Sequence, residues 1–362
     1  MDAIKKSIAV KIFLCFLFVF ILLGTADYFG RDFVIDYVGD AYVFVSLGAF
    51  FLLAFLSFLF YFTFPFRKVF HEMKALLTGH QYKKIFTQRV DEVGILAHFF
   101  NEVTKNFERI AVDVEEGKRM SKELSVGSDI QRHILPAAMP NIPGIRLFGS
   151  TRPASEVGGD SFDITTAGDN TYVYVGDVTG HGLPAGLIMV MVNTLIRTFS
   201  EINPTGYDII VNTTRILKQR IEPRRFMTCV LLRWNSKENK MYYTGAGHEH
   251  IMIYHKAQGV CEVKQTGGIA LGMVPDVSKI VREEEISFAT GDCVVLYSDG
   301  IVEAKNMSGE MFGVTRLKNS IEAYAGQSQP QDLFTQISRD LGTFVGSHIQ
   351  EDDITLIAVQ RA

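Results

Sequence analysis

Five aspartates in the C-terminal two-thirds of the chain stand at the ends of hydrophobic runs. Asp160 closes the glycine pair Gly158-Gly159, Asp177 ends TYVYVGD, Asp299 ends CVVLYSD, and Asp352 and Asp353 come directly before ITLIAVQ. An aspartate beside glycine commonly just forms a turn by bonding its own backbone, and any one of these sites reads that way. Four such sites, each opening or closing an apolar strand, read differently. If the strand ends meet at one sheet edge, they gather carboxylates that cannot all stay ionised without a cation. The donors would be oxygens, with no His/Cys set at zinc spacing, and oxygen ligands select hard ions such as Mg²⁺ or Mn²⁺. Two such ions would activate a water and clamp a phosphoryl group.

The elements that must hold these groups are short strands. TYVYVGD (171–177), FMTCVLLRW (226–234), KMYYTGAGHEHIMIYH (240–255), CVVLYSD (293–299) and ITLIAVQ (354–360) are β-branched and aromatic runs separated by glycine turns. Leu183–Phe199 and the segment around 204–219 read as helices. The strands are too many and too often hairpin-linked for a simple parallel sheet, so a mixed α/β domain is expected.

The N-terminal third has another texture. Residues 41–66 carry no charge and are long enough to cross a bilayer, with Tyr42 and Tyr61 as interfacial anchors. An earlier run, 12–26, reaches spanning length if Lys11 snorkels. It also reads as a cleaved signal peptide, with Gly-Thr-Ala at 24–26 as the cleavage site. Lys5, Lys6 and Lys11 flank the first run, and Arg67, Lys68, Lys74, Lys83 and Lys84 follow the second. The stretch 27–40 between them holds four aspartates and only Arg31. The positive-inside rule then predicts a hairpin of two spans (about 8–26 and 42–65) with a short external loop and both ends in the cytoplasm. This places the chain in the cytoplasmic (inner) membrane as a multi-pass protein with its C-terminal domain inside.

After Pro65, the residues Phe66, Phe70, Met73 and Leu77 follow helical spacing until Gly79-His80 breaks it; DEVG at 91–94 opens a second helix with Ile95, Leu96, Phe99, Phe100 and Val103 apolar. Residues 62–112 resemble a HAMP linker, through Pro65 after the span, DEVG, and FFNEVTKNF at 99–107. That resemblance implies a homodimeric parallel four-helix bundle. Val103, Phe107, Ile110 and Val114 extend the rhythm into a connector over 113–140, where Gly117 and Gly127 weaken it. The stripe reads as a coiled coil or as an amphipathic helix packed on the C-terminal domain.

Composition narrows the classes. The 362 residues suffice for about two domains, and 47% hydrophobic content excludes global disorder. A net charge of −4 argues against a nucleic-acid binder. Four dispersed cysteines with no CxxC exclude a zinc ribbon and a disulfide framework, and fit a reducing compartment.

Five blocks occur together and in order: VGGDSFDI (157–164), VGDVTGHGLPAGLIM (175–189), AGH (246–248), LYSDGIVEA (296–304) and EDDITLI (351–357). IQRHILPAAMP (130–140), FMTCVL (226–231), GGIALGM (267–273) and FGVTRL (312–317) support them. Over about 130–360 the chain resembles the PPM (type 2C) protein phosphatases, in the bacterial SpoIIE/RsbU subgroup. The resemblance implies an α+β fold: an αββα sandwich phosphatase domain over 141–362, preceded here by two transmembrane helices and the HAMP-like linker. It also implies a two-metal site. Asp177 would bridge both ions, the Val178 carbonyl and Asp160 would serve the second, and Asp299 and Asp352 the first. Asp353 replaces a polar residue of the family, as a ligand or as a group supporting one. The implied reaction is attack of water on a phosphoserine or phosphothreonine with no covalent enzyme intermediate. The implied substrate is a phosphorylated STAS-domain anti-sigma-factor antagonist in a partner-switching pathway. His181, in the Gly-His-Gly turn after Asp177, or His248 could protonate the leaving oxygen; either also reads as a turn histidine bonded to backbone. The competing functions are a phosphoprotein-binding scaffold without catalysis and a phosphatase for small esters. Where the family has a proline-containing turn after AGH, this chain has Glu249-His250.

Overall fold

The computed structural model describes residues 7–38, 42–136 and 138–362. The chain divides into two compact units, Met1–Lys118 and Arg119–Ala362.

In the first unit, α1 (Ile8–Val38) and α2 (Tyr42–Phe58) lie antiparallel, with the Cys15 thiol donating to the Ser57 hydroxyl at 3.1 Å and Phe16 against Phe50. Helix α1 is 31 residues, about 46 Å at 1.5 Å per residue and longer than a ~30 Å hydrocarbon core. The expected loop at 27–40 is therefore helical through Val38, and its last residues, with the Tyr42 side chain and Lys5 and Lys6, lie outside what is described. Windows over Ile8–Thr25 and Leu47–Leu77 are long and apolar enough to cross a membrane. The second path is continuous: a π-helical turn, Leu59–Thr63, joins α2 to α3 (Phe64–Leu77), and the Tyr61 carbonyl, four residues before Pro65 and its missing N–H, accepts from the Arg89 guanidinium at 2.8 Å.

Helix α4 (Glu92–Ile134) follows an extended stretch. Its 43 residues run unbroken through Gly117 and Gly127. A helical glycine costs about 1 kcal/mol relative to alanine, which weakens a helix without ending it. The buried face of the α3–α4 pair takes Met73, Leu96 and Phe100 from the predicted stripes and leaves others out. Val69, Met73 and Leu76 meet Val93, Ala97 and Phe100, while Phe70, Leu77, Ile95 and Phe99 stay exposed. Asp91 locks this unit. It pairs with Lys11 and Arg89 at 2.8 Å each and accepts the Gly94 N–H. Burial opposes its ionisation, but the bonds from Arg89, Lys11 and Gly94 outweigh it and hold the carboxyl down at about 2.

The second unit is a four-layer sandwich. One sheet has the order β1 (Ile145–Arg152), β10 (Ile354–Arg361), β9 (Cys293–Tyr297), β6 (His250–His255), β7 (Val260–Gln265). The other runs β2 (Ser161–Ala167), β3 (Asn170–Val178), β4 (Met227–Asn235), β5 (Lys240–Ala246), β8 (Glu283–Ile286). Every pairing in both sheets is antiparallel. Alternation along each strand assigns side chains to layers. Val173 and Val175 of β3 enter the core between the sheets with Leu232, Trp234, Ile253, Leu296 and Ile357. Tyr172 and Tyr174 face out, under α5 (Leu183–Ile202) and α6 (Gly206–Leu217). The other sheet buries Val295, Leu356 and Ala358 under α8 (Gly313–Tyr324) and α9 (Pro330–Val345). Strands buried on both faces read as continuous apolar runs, as these do. Apolar α5 is also long enough for a bilayer, but its inner face is core.

Two features depart from the strand and helix readings. KMYYTGAGHEHIMIYH is two strands in different sheets, and the chain crosses between them at AGHE. Helices α8 and α9 add to the two predicted in this region; Leu317/Ile321 and Leu333/Ile337/Leu341 keep four-residue spacing and Pro330 opens α9.

Candidate active site

Two strand registers bring the aspartates to one edge. In β2–β3, Ser161 pairs with Gly176, so Asp160 and Asp177 sit at adjoining strand ends. In β9–β10, Tyr297 pairs with Leu356, so the chain leaves β9 towards Asp299 where Asp352 and Asp353 lead into β10. Asp299 is not the last strand residue. It opens a short helix, α7 (Asp299–Val302), two residues beyond β9.

Close backbone approaches tie the segments together. A Cβ on Gly300 would lie 2.0 Å from the Asp353 carbonyl oxygen, so only glycine lets the turn after Asp299 rest on Asp352–Asp353. A Cβ on Gly159 would meet the Val178 carbonyl at 3.1 Å, which places that oxygen against the Asp160 turn. The Asp353 carboxylate is spent on this turn. It accepts the N–H groups of Ala154 at 2.7 Å, Gly159 at 2.6 Å and Asp160 at 3.2 Å. Thr355, inside β10, donates its hydroxyl to Asp160 at 2.5 Å; having one proton, it must accept from Thr151 at 2.7 Å. Ser298 ties β9 to β10 by accepting the Thr355 N–H at 2.9 Å and donating to the Asp353 carbonyl at 3.2 Å. On α4, Gln131 grips the same turn with both ends of its amide, donating to the Gly158 carbonyl at 2.6 Å and accepting its N–H at 3.0 Å.

The electrostatics follow from this crowding. Burial first, then the negative charges of Asp160, Asp299, Asp352 and Asp353, push Asp177 up to about 9. Burial raises Asp160 to about 7 against the hydrogen bond from Thr355 and the nearby Ser298 hydroxyl, with Asp353 and Asp299 adding to the rise. Burial, Asp352, Glu303 and Glu249 raise Asp299 to about 6. Glu249, in the turn that departs from the family pattern, thus adds negative charge to the cleft. All four other aspartates act on Asp177. Among the described residues no group of three or more His, Cys, Asp or Glu side chains stands ready to hold a metal ion, so the cluster is described by its backbone ties and mutual repulsion. A group of oxygen donors that resist ionisation together fits hard divalent cations, which would remove that repulsion.

The histidines separate clearly. His181 is exposed in its turn and makes no side-chain hydrogen bond among the described residues. His248 is buried; its Nε2 lies 2.7 Å from the Tyr297 carbonyl and its Nδ1 3.3 Å from the Thr228 hydroxyl. Burial, opposed by the Tyr297 bond, lowers its pKa to about 4, so the ring is neutral near neutrality. With both nitrogens engaged, His248 is not placed to protonate a leaving group.

Comparison with known proteins agrees with this architecture. Residues 167–362 match the family model described as Stage II sporulation protein E (SpoIIE). The chain belongs to the SpoIIE family. The matched SpoIIE region holds Asp177, Val178, His181, Asp299, Asp352 and Asp353; Asp160 lies just before it. Protein IcfG of Synechocystis sp. is 26% identical over 303 residues, 75% of this chain, and the chain spans about half (47%) of that relative. Phosphoserine phosphatase RsbU of Bacillus subtilis is 23% identical over 244 residues, 67% of this chain and 71% of RsbU. Among solved structures, the SiaA-PP2C domain of Pseudomonas aeruginosa superimposes with a TM-score of 0.57 at 23% identity, covering 68% of this chain and 98% of that domain. The RsbU and RsbW domains of a Mycobacterium tuberculosis protein give 0.55 at 25% identity, covering 63% of each chain. The SpoIIE phosphatase domain, an α+β sandwich of the PP2C kind, is thus the fold of the second unit.

Thr355, Ser298 and Gln131 escaped sequence reading as site residues. A threonine in ITLIAV looks like ordinary strand composition, and only the pairing of β10 with β1 and the Asp160 turn turns its hydroxyl into a carboxylate partner.

Proposed function

We propose that this chain is a membrane-anchored, metal-dependent protein-serine/threonine phosphatase. The observation that carries the reading is Asp177: a carboxyl raised to about 9 by burial and by four surrounding aspartates, at one edge of a SpoIIE-type sandwich. Without a cation such a carboxyl keeps its proton near neutral pH, and divalent cations beside it, Mn²⁺ or Mg²⁺, would favour its ionised, ligating form.

In this assignment Asp177 and the Val178 carbonyl hold one side of the pair with Asp160, and Asp299 and Asp352 hold the other. Asp353 serves by fixing the Asp160 turn through its three N–H bonds rather than as a ligand. When bound, the cations supply Lewis acidity towards the phosphoryl group and acidify water. Thr355 keeps one Asp160 oxygen engaged and so aims the other. His181, free of backbone bonds, is the group able to give a proton to the leaving seryl oxygen.

The relative RsbU is a phosphoserine phosphatase by name, which supports phosphoserine as the target. A phosphorylated STAS-domain protein in partner switching is the substrate the family resemblance favours. In this reading the chain divides into a membrane hairpin (1–66), HAMP-like linker (62–112), connector (113–140) and phosphatase domain (141–362), with catalysis at the cytoplasmic face of the inner membrane; two helical windows apolar enough to cross a membrane and the basic residues flanking them support it. Phe70, Leu77, Ile95 and Phe99, exposed on the linker, supply an apolar face for a second copy, as a homodimer requires.

The test is phosphate release by the full chain in lipid, from a phosphorylated STAS-domain protein and from phosphoserine peptides. Release should require Mn²⁺ or Mg²⁺ and vanish in Asp177→Asn. Metal-independent release, or full activity of that variant, would overturn the reading. Equal turnover of small phosphate esters would replace the protein substrate.

A further inference from the structure

His248 touches none of the five aspartates, yet it stands between the strands that carry two of them. Its Nε2 meets the carbonyl of Tyr297, two residues before Asp299. Its Nδ1 meets the hydroxyl of Thr228, the cross-strand partner of Asp177. Tyr297 belongs to one sheet and Thr228 to the other. His248 itself lies in the crossing between β5 and β6, where the chain passes from one sheet to the other. Its own carbonyl accepts the Thr266 hydroxyl, and the Glu249 carbonyl accepts the Thr266 N–H at 3.3 Å, so Thr266 pins the crossing at two consecutive residues.

The partners dictate the tautomer. A carbonyl can only accept, so Nε2 carries the proton; Nδ1 then accepts from Thr228. The clamp is neutral and brings no positive charge to a cleft built for cations.

We propose that His248 is a positioning residue that sets the gap between Asp177 on one sheet and Asp299 on the other, and so the affinity of the site for its pair of divalent ions. The reading rests on the two-cation assignment above. Metal ligands tolerate errors of only about 0.2 Å; apolar packing is non-directional, whereas a hydrogen bond fixes both distance and direction. A planar ring bonded at both nitrogens is a spacer of fixed length. It acts on the ligands through the backbone of Tyr297 and through the strand partner of Asp177.

The experiment measures Mn²⁺ binding directly, by calorimetry on the purified full chain, alongside the electron paramagnetic resonance signature of neighbouring Mn²⁺ ions at saturation. Thr228→Val removes one link and keeps strand shape; it should weaken Mn²⁺ binding several-fold. His248→Ala should weaken it roughly ten- to a hundredfold, the usual effect of losing a group that orients metal ligands. His248→Gln, which can still donate to Tyr297, should fall between them. A destabilised control is Glu283→Gln, which breaks the Arg233–Glu283 pair at 2.7 Å; it should lower stability and leave Mn²⁺ affinity unchanged. Wild-type affinity in both Thr228→Val and His248→Ala would overturn the proposal, as would an equal loss in Glu283→Gln. If His248→Ala does not fold, Thr228→Val decides alone. Failure of the wild-type chain to bind Mn²⁺ would instead overturn the two-cation reading, and this inference with it.

Discussion

The Asp353 carboxylate accepts the Gly159 N–H at 2.6 Å, joining two positions 194 residues apart in sequence. This bond and its companions to Ala154 and Asp160 make the turn before β2 depend on the segment before β10. The catalytic edge is therefore one cooperative object rather than a set of separately placed ligands.

Asp353→Ala leaves three backbone N–H groups without their acceptor. Each buried orphan costs about 1–3 kcal/mol, so the domain should lose at least about 2 kcal/mol. Asp353→Asn keeps one carbonyl acceptor and should lose less. Trp234 is the only tryptophan in the chain and is buried between the sheets. Its fluorescence during denaturant unfolding reports this domain within the intact protein. A midpoint unchanged in both variants would show that the turn does not need the carboxylate.

Gly300→Ala introduces a Cβ 2.0 Å from the Asp353 carbonyl, a backbone atom that cannot swing aside. The turn carrying Asp299 must then move away from Asp352. Phosphate release at fixed Mn²⁺ should fall by roughly a hundredfold or more, the cost of misplacing a reacting constellation by about 1 Å. Activity within a factor of a few of wild type would contradict the close packing.

The raised carboxyls have a defined pH signature. Folded values of about 6, 7 and 9 for Asp299, Asp160 and Asp177 exceed the unfolded carboxylate value. Each group favours the fold fully below the unfolded pKa of about 4 and loses that contribution as pH rises through its folded value. Without divalent ions, thermal stability should decline from pH 5 to 9. Mn²⁺ removes the repulsion and competes with protons, so the rise in Tm on adding Mn²⁺ should grow over the same range. Melting followed by Trp234 with chelator and with Mn²⁺ checks this; a metal-induced rise that is flat or shrinking with pH would refute it.

His181 bonds no backbone group, so His181→Ala should alter stability by less than about 0.5 kcal/mol. As a proton donor to the leaving group it should cost about 10²-fold in kcat on a phosphoserine protein. With p-nitrophenyl phosphate, whose leaving group needs no proton, the loss should be small. Equal losses on both substrates would assign His181 another role.

Much of this site was legible in the chain. Local chemistry places Asp beside Gly at strand ends, continuous β-branched and aromatic runs mark the strands, and hydropathy marks Ile8–Thr25 and Leu47–Leu77, because each depends on residues within a few positions of one another. Convergence was decided elsewhere. Asp353 became a backbone anchor, Thr355 a carboxylate partner and His248 an inter-sheet link only when β10 paired between β1 and β9 and the chain crossed sheets at AGHE. The buried face of the α3–α4 pair likewise went to Val69, Val93 and Ala97 over the larger Phe70 and Phe99. Sequence spacing records periodicity, which does not say which partner a face will meet. Hydrogen bonds across nearly 200 residues depend on register and close approach, and only the folded chain sets those.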